Sequence, residues 1–402
     1  MRTSLHVLEV DPLRISKYQL NSLELFAGAG GLALGVEAAG FRHVAVIERD
    51  SAACATIRQN FKWPLIETDA RNFDYSAITK PISLLSGGPP CQPFSLGGKG
   101  LAAADDRNML PETIRAVRAL QPKVFLIENV KGILRPGGAT YLDYVRLQLK
   151  FPEHVCRSHE TAIEHLGRLE KYETSGSRSD IGYNVLTRLV NAADYGVPQL
   201  RERVFIVGFR RDLGIKWSFP VPTHSLDSLI WSQWKTEEYC ERHGITRAAL
   251  GGILGAELRA SALENAPQLR PWVTTRDAIF DLSNPTPTDT GVQSISNHTF
   301  LAGARLYAGH TGSQLDTPAK TLKAGVHGVP GGENMLVGTD GKVRYFTVRE
   351  CARLQTFPDY YEFRCAWGSA VKQLGNAVPV TLARVIAESI FKAIRTAARR
   401  SS

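Results

Sequence analysis

The chain has 402 residues, 43% of them hydrophobic, and a formal net charge of +9. That length allows a sizeable core and two domains. No run of about 18 apolar residues offers a membrane span, and the charged N-terminus lacks a signal-peptide core. Six scattered cysteines without a CxxC pair argue against a disulfide framework or a zinc site and fit a reducing cytosol.

Residues 1–20 read as an extension. Leu23–Phe26 reads as a first buried strand. It runs into Phe26-Ala27-Gly28-Ala29-Gly30-Gly31, which opens a helix from Leu32 to Ala39. Glycines there let backbone approach a ligand and point helix N–H groups at it. The spacing is not G-x-G-x-x-G, so a dinucleotide pyrophosphate is not implied. Val44–Ile47 is a second strand, followed by Glu48, 20 residues past Gly28, and a helix over Ser51–Asn60. A carboxylate at Glu48 can accept both hydroxyls of a ribose; a charge at a helix N-terminus is the structural alternative. Asp69 follows a third apolar stretch at Leu65–Thr68 and is placed to bind an adenine amino group.

Ile82–Leu85 is the next strand, and Gly88-Pro89-Pro90-Cys91-Gln92-Pro93-Phe94-Ser95 follows it. Prolines stiffen this loop and keep it out of a helix. A thiol held rigidly at a strand tip suits a nucleophile; an inert buried cysteine is the structural alternative. Pro111 starts a helix to Leu120. Val124–Ile127 is a strand ending in Glu128, where desolvation should raise the carboxyl pKa and let it donate a proton. A Glu capping the next turn explains the same pattern.

Residues 158–180 are polar and read as an exposed insertion. Gln199, Arg201 and Arg203 alternate ahead of the strand Val204–Val207, which points them to one face. Two guanidiniums there suit an anionic or carbonyl partner; a solvated Arg–Glu edge is the bland account. The near-continuous apolar strands, interleaved with helices, predict a doubly wound, mostly parallel α/β sheet. From about 212 the alternation fades into an irregular region rich in Trp, Pro and Gly, including Gly328–Gly332. It returns near 343 with an amphipathic segment over Arg349–Pro358, the turn Gly375-Asn376-Ala377-Val378-Pro379 and a last helix from about Val380 to Ala398.

FAGAGG, Glu48, Asp69, GPPCQPFS, ENV, QLRER, RECARLQTFP and GNAVP occur in that order. The series resembles the ordered motif set of the DNA (cytosine-5) methyltransferase family, over about residues 21–211 and 343–395. The resemblance implies an S-adenosylmethionine-dependent methyltransferase fold. Cys91 would be the nucleophile adding to cytosine C6. Glu128 would hold and protonate N3, while Arg201 and Arg203 would contact the O2 side and brace Glu128. Phe26, Ala27, Gly28, Gly30, Gly31, Glu48, Arg49, Asp69, Ala70, Leu110, Asn376 and Val378 would form the S-adenosylmethionine pocket, with no metal.

The domains implied are an extension (1–20), a catalytic domain (21–211), a target recognition domain (212–342) and a return to the catalytic domain (343–402). The Thr321-Leu322 pair matches one common in such recognition domains. Glu24 stands where Asp is commoner, and Arg49 stands where an aromatic often covers adenine. The partner expected is double-stranded DNA, with a cognate restriction endonuclease acting on the same site. The chain is expected to be monomeric and cytoplasmic. RNA as substrate, an inactive DNA-binding paralogue and a nicotinamide oxidoreductase are the competing readings.

Overall fold

The computed structural model describes residues 19–90, 108–176, 181–286, 295–306, 311–324 and 334–401. Cys91, the run Gly328–Gly332, most of the N-terminal extension and the end of the 158–180 insertion lie outside the described residues.

Seven strands form the central sheet: β1 (Leu20–Leu25), β2 (Phe41–Glu48), β3 (Leu65–Glu67), β4 (Leu84–Gly87), β5 (Val124–Val130), β6 (Tyr183–Asn191) and β7 (Glu202–Arg210). Their order is β3-β2-β1-β4-β5-β7-β6. β1 to β5 are parallel. β7 lies antiparallel between β5 and β6. Val204–Val207 is therefore not a parallel strand, although its apolar run looks like one. β6 and β7 are joined by a short connection with a single 3-10 turn at Ala192–Tyr195, and a parallel pair needs a longer crossover.

Helices α1 (Gly31–Ala38), α2 (Ser51–Asn60), α3 (Leu110–Leu120), α4 (Pro136–Lys150) and α5 (Ala162–Thr174) alternate with the strands. Then come α6 (Leu226–Trp234), α7 (Glu238–His243), α8 (Ala256–Ala262), α9 (Thr275–Ile279), α10 (Val348–Leu354), α11 (Trp367–Asn376) and α12 (Val380–Ser401).

Strand alternation sorts the core into two layers. Leu23, Leu25, Ile47, Phe125 and Ile127 face Ile114 and Val117 of α3 and Tyr141, Leu142 and Val145 of α4. Val124, Leu126, Phe205 and Val207 face Leu32 and Val36 of α1 and Leu382, Ile386 and Ile390 of α12. α1 and α12 cross closely, since a Cβ on Gly35 would lie 2.5 Å from Ala383 Cβ. The last helix thus closes one face of the sheet begun by the first strand.

The insertion is more ordered than its polarity suggests. Thr161 and Glu164 form a reciprocal capping box that starts α5. His165 and Leu169, four residues apart and so on one helix face, are both fully buried, and Tyr144 Oη lies 2.8 Å from His165 Nδ1. One apolar face on a charged helix is easily lost in average composition. The middle region has its own small apolar clusters, around Leu229, Tyr239 and Cys240 and around Ile230, Ala256 and Ala260. No helix among the described residues is long and apolar enough to cross a membrane.

Candidate active site

The parallel strands end along one edge of the sheet. β1 has β2 on one side and β4 on the other, and such a reversal opens a crevice at the carboxyl ends of the strands. A cavity of about 430 Å³ lies there. Its wall follows the strand order. Asp69 and Ala70 stand beyond β3, Glu48, Arg49 and Asp50 at the end of β2, and Glu24, Phe26, Ala27 and Gly28 along β1. Gly88, Pro89 and Pro90 follow β4, Glu128 and Asn129 end β5, and Arg203 comes from β7. Lys372, Gln373 and Gly375 to Val378 close the remaining side.

The turn after β1 is tight. Phe26, Gly28 and Gly30 all have left-handed backbone, at φ 56°, 54° and 77°. For Phe26 this is a strained conformation that the surroundings must enforce. The turn aims the Gly28 N–H at Glu48 Oε2, 2.7 Å away. Glu48 Oε1 also accepts from the N–H groups of Arg49 (2.8 Å) and Asp50 (2.7 Å). Three bonds fix the carboxylate and occupy all but one of its roughly four lone-pair positions. Glu48 is thus a rigidly held acceptor that faces the cavity.

Gly30 and Gly31 serve packing. A Cβ on Gly30 would meet the Trp63 ring at 2.9 Å, and one on Gly31 would meet the Val378 carbonyl at 2.4 Å. The start of α1 is thereby pressed against the Gly375–Pro379 turn. Asn376 and Val378 both reach the cavity wall from that turn. Leu110 does not: it is fully buried in the α3 core, and Met109 lines the cavity instead.

Asp69 is fully engaged. Its Oδ1 accepts from Arg71 N and Nε, both at 3.0 Å, and its Oδ2 from Arg71 Nη2 at 2.7 Å and Arg49 Nη1 at 3.1 Å. These guanidiniums, Arg71 above all, hold its carboxyl well below the usual carboxylate range. An adenine amino group can reach Asp69 only if one cation turns aside, and the half-exposed Arg49 is the more easily moved.

At the opposite end, the backbone leading into Cys91 is tied down. Pro90 O accepts from Met109 N at 3.0 Å, and Pro89 O from Asn129 Nδ2 at 3.4 Å. A Cβ on Gly88 would stand 3.1 Å from Glu128 Oε2. Glu128 shares strand parity with Val124 and Leu126 and is almost closed to solvent. Arg203 Nε lies 2.9 Å from its Oε1. Burial pushes the Glu128 carboxyl above its ordinary value. Arg203 and, less directly, Arg201 draw it back, but desolvation prevails.

Arg201 occupies a different position from the one its spacing suggests. It is wholly buried and does not line the cavity. Its Nη2 donates to Gly375 O (2.7 Å) and Ala377 O (2.8 Å), and its Nη1 to Leu322 O (3.2 Å). Gln199 works beside it, donating to Leu354 O at 3.1 Å and accepting from Leu322 N at 3.0 Å. Both residues precede β7, in a segment threaded between the middle region and the returning chain. Arg201 is thus a clamp on three backbone segments, and Arg203 alone of the pair meets Glu128.

Glu24 lines the wall and Ser86 supports it by a hydrogen bond; the sequence marks neither as a site residue. The wall also holds Gln373, whose buried Oε1 has no hydrogen-bond partner among the described residues. Away from the cavity, Cys156, Glu160 and His165 bring ligand atoms within 4.8 Å of one another. Glu160 there is already paired with Arg168 at 2.7 Å, and both His165 nitrogens meet Tyr144 Oη and His154 O.

The C-5 cytosine-specific DNA methylase family profile matches residues 20–150 and 175–392, passing over the segment that holds α5. The chain is 34% identical over 393 residues to the Type II methyltransferase M.PspPI of a Psychrobacter strain, covering 97% of this chain and 82% of the relative. It is 32% identical over 385 residues to the Type II methyltransferase M.Eco47II of Escherichia coli, covering 94% and 81%. A DNA modification methyltransferase encoded within an E. coli prophage shares its fold, with a TM-score of 0.59 at 23% identity over 94% of this chain and all of the other. So does the S. pombe Dnmt2 methyltransferase, with a TM-score of 0.56 at 16% identity over 93% and 99%.

Proposed function

Since the chain belongs to the C-5 cytosine-specific DNA methylase family, we propose that the cavity edge of its sheet is where a cytosine of DNA receives a methyl group on C5. S-adenosylmethionine is the methyl donor, and when bound it supplies an electrophilic methyl carbon. The cavity suits such a ligand: its volume falls in the usual range for cofactor sites, and it offers a rigid acceptor at Glu48 and a buried acid at Glu24 that Ser86 holds by a hydrogen bond. Phe26, Ala27, Gly28, Glu48, Arg49, Asp69, Ala70, Asn376 and Val378 would hold the cofactor, with Gly30, Gly31 and Leu110 shaping the wall from behind.

Cytosine C5 is too weak a nucleophile to take a methyl group unaided. In the reading proposed, the Cys91 thiolate adds to C6 and pushes an electron pair toward C5. Glu128, whose carboxyl burial pushes above its ordinary value, donates a proton to N3 as that charge develops. Arg203 holds Glu128 in place and faces the same end of the cavity. After C5 gains its methyl group, a base removes the C5 proton, the electron pair expels the thiolate, and N3 returns its proton to Glu128. Splitting one difficult step into two is the gain from covalent catalysis. The base must leave the duplex stack to enter.

Residues 212–342 would read the DNA sequence, and residues 21–211 with 343–402 would carry the chemistry. The separate small cores of the middle region support that division. The Type II relatives support a role in shielding DNA from a cognate endonuclease; in this reading the chain acts as a cytoplasmic monomer and uses no metal. The observation that carries the reading is the Glu128–Arg203 pair, set beside the fixed backbone that enters Cys91. Bisulfite sequencing of DNA from cells expressing the chain tests it. Protected cytosines within one short sequence are expected; complete conversion everywhere would refute it.

A further inference from the structure

The edge of the sheet opposite the cavity collects cations. Arg42 is the second residue of β2, Lys123 immediately precedes β5, and Arg210 ends the antiparallel β7. Lys80 precedes Pro81, whose carbonyl accepts from Asn21 Nδ2 of β1 at 3.2 Å. Arg210 N donates to Lys123 O at 2.9 Å and Arg211 N to Gly182 O at 2.8 Å, so the row runs on toward the start of β6. Lys216 follows, lining a shallow groove with Phe209 and Asn184, which pair across β7 and β6 one residue in from Arg210. Helix α12 ends at this edge too. Phe391 packs edge-on against Phe41, the first residue of β2, with ring centroids 5.2 Å apart, and Arg395 lies over the Phe391 ring.

The two edges differ in how their cations are balanced. At the cavity, Arg49, Lys131, Arg203 and Lys372 each have a carboxylate partner, in Asp69, Glu202, Glu128 and Asp50. At the opposite edge Arg210 is paired with Asp212. Arg42, Lys80, Lys123 and Lys216 have no carboxylate partner among the described residues, and all but Lys123 are exposed. Like charges gathered without counter-charges repel one another, and a polyanion laid along them relieves that cost.

The row suits a phosphate backbone. From β2 through β1, β4 and β5 to β7 is four strand spacings, or about 19 Å, more than half of a duplex turn of about 34 Å. Lys123 and Glu128 stand at opposite ends of β5, five residues or about 17 Å apart, and the two edges face opposite ways. A duplex with a base in the cavity is too stiff to double back over so short a distance, because DNA keeps its direction over about 150 base pairs. The partner is therefore a separate segment of DNA. A lipid surface fits less well. Trp217, the large aromatic beside Lys216, is packed between Phe209 and Phe219 and donates from Nε1 to Ser389 Oγ, so it is not free to enter a bilayer.

We infer that this basic edge, built on Arg42, Lys80, Lys123 and Lys216, is a second DNA-binding surface. It grips phosphates without reading bases and holds one segment of DNA while another occupies the cavity. The inference goes beyond the proposed function and takes from it only that DNA is the polymer handled. Holding one segment raises the local concentration of target sites for the cavity to search.

A chain trapped on a duplex carrying 5-fluorocytosine has its cavity edge occupied, and a labelled second duplex without the target sequence is titrated against it by fluorescence anisotropy at several salt concentrations. The wild-type complex should bind it, with log K falling linearly with log salt. In the variant combining Arg42→Ala, Lys80→Ala, Lys123→Ala and Lys216→Ala, that slope should be shallower by about 3 to 4, and low-salt affinity should fall at least roughly 10-fold. Methylation of a short one-site duplex should be unchanged. No second duplex on the wild-type complex, or equal binding by the variant complex, would overturn the inference. So would tighter binding of polyglutamate or of phosphatidylserine vesicles than of the duplex, which would assign the edge to an acidic protein or a membrane.

Should the combined variant not fold, Lys80→Glu and Lys216→Glu taken singly should each weaken the second binding step, and no effect of either would refute the idea. Should no adduct form, the covalent chemistry fails rather than this surface, and sedimentation of the untrapped chain with excess short duplex decides. Two duplexes on the wild-type chain and one on the variant are expected; one on both would refute the second surface.

Discussion

Arg203 Nε and Glu128 Oε1 meet at 2.9 Å across the antiparallel pair β5 and β7, with both side chains nearly closed to solvent. The pair joins two opposing demands. Burial favours the neutral acid, and the guanidinium favours the carboxylate; burial has the larger effect, so the carboxyl lies above its ordinary value. The carboxyl is thereby set to release a proton more readily than burial alone would allow, while Arg203 fixes its direction.

Replacing Glu128 with Gln keeps the shape and removes the acid. The turnover rate should fall by roughly 10²- to 10⁴-fold, the usual worth of a positioned proton donor, with cofactor affinity little changed. Arg203→Ala removes the cation that opposes burial, so the Glu128 carboxyl should rise further. The limb of the pH–rate profile that reports Glu128 should then move to higher pH, and single-turnover kinetics across pH would check both effects.

Arg201→Met should act on stability. It removes the buried donor to the carbonyls of Leu322, Gly375 and Ala377, leaving Ala377 O only the longer bond from Gln355 Nε2 at 3.3 Å. A loss of about 3 kcal/mol is expected, since an orphaned buried group costs roughly 1–3 kcal/mol and removing the buried charge recovers part. Urea unfolding measures it. Unchanged stability with abolished turnover would return Arg201 to the chemistry.

Glu24 should leave a signature in the cofactor-free protein. Its folded value of about 8 lies above its ordinary value of 4.5. Below pH 4.5 the acid is protonated in both states and costs nothing. Between pH 4.5 and 8 only the unfolded chain ionises, so stability falls as pH rises, by on the order of 5 kcal/mol in all. Thermal melts of wild type and Glu24→Gln across pH 5–9 should diverge, with the variant increasingly the more stable. Parallel curves would contradict this.

Much of this arrangement is legible in the residues. Glu48, Asp69 and Glu128 each follow an apolar run, and strand ends are where a parallel sheet exposes side chains. Helix α2 is where Ser51–Asn60 predicts it, because Asp50 caps its N-terminus by accepting from Ala52 and Ala53. What escapes is what depends on partners far along the chain. Gln199, Arg201 and Arg203 have one periodicity, but only Arg203 lies within β7; the other two meet segments more than a hundred residues away. β6 is an edge strand with polar residues on its partly open faces, so its sequence, YNVLTRLVN, lacks a strong apolar run. Glu24 is read as a minor departure from a pattern because nothing local reveals that it is buried without a cation. Asp69 looks free in sequence, and its saturation by Arg49 and Arg71 emerges only in three dimensions.

The central claim is that sulfur at position 91 bonds to C6 of the target cytosine. Duplex DNA carrying 5-fluorocytosine in the methylated sequence tests it directly, since fluorine at C5 blocks the elimination that frees the enzyme. With S-adenosylmethionine present, a protein–DNA adduct that survives denaturation should form and map to Cys91 by peptide mass spectrometry, and Cys91→Ser should form none. Methylation of ordinary DNA without any adduct on the fluorinated duplex, or an adduct on another residue, would contradict the account.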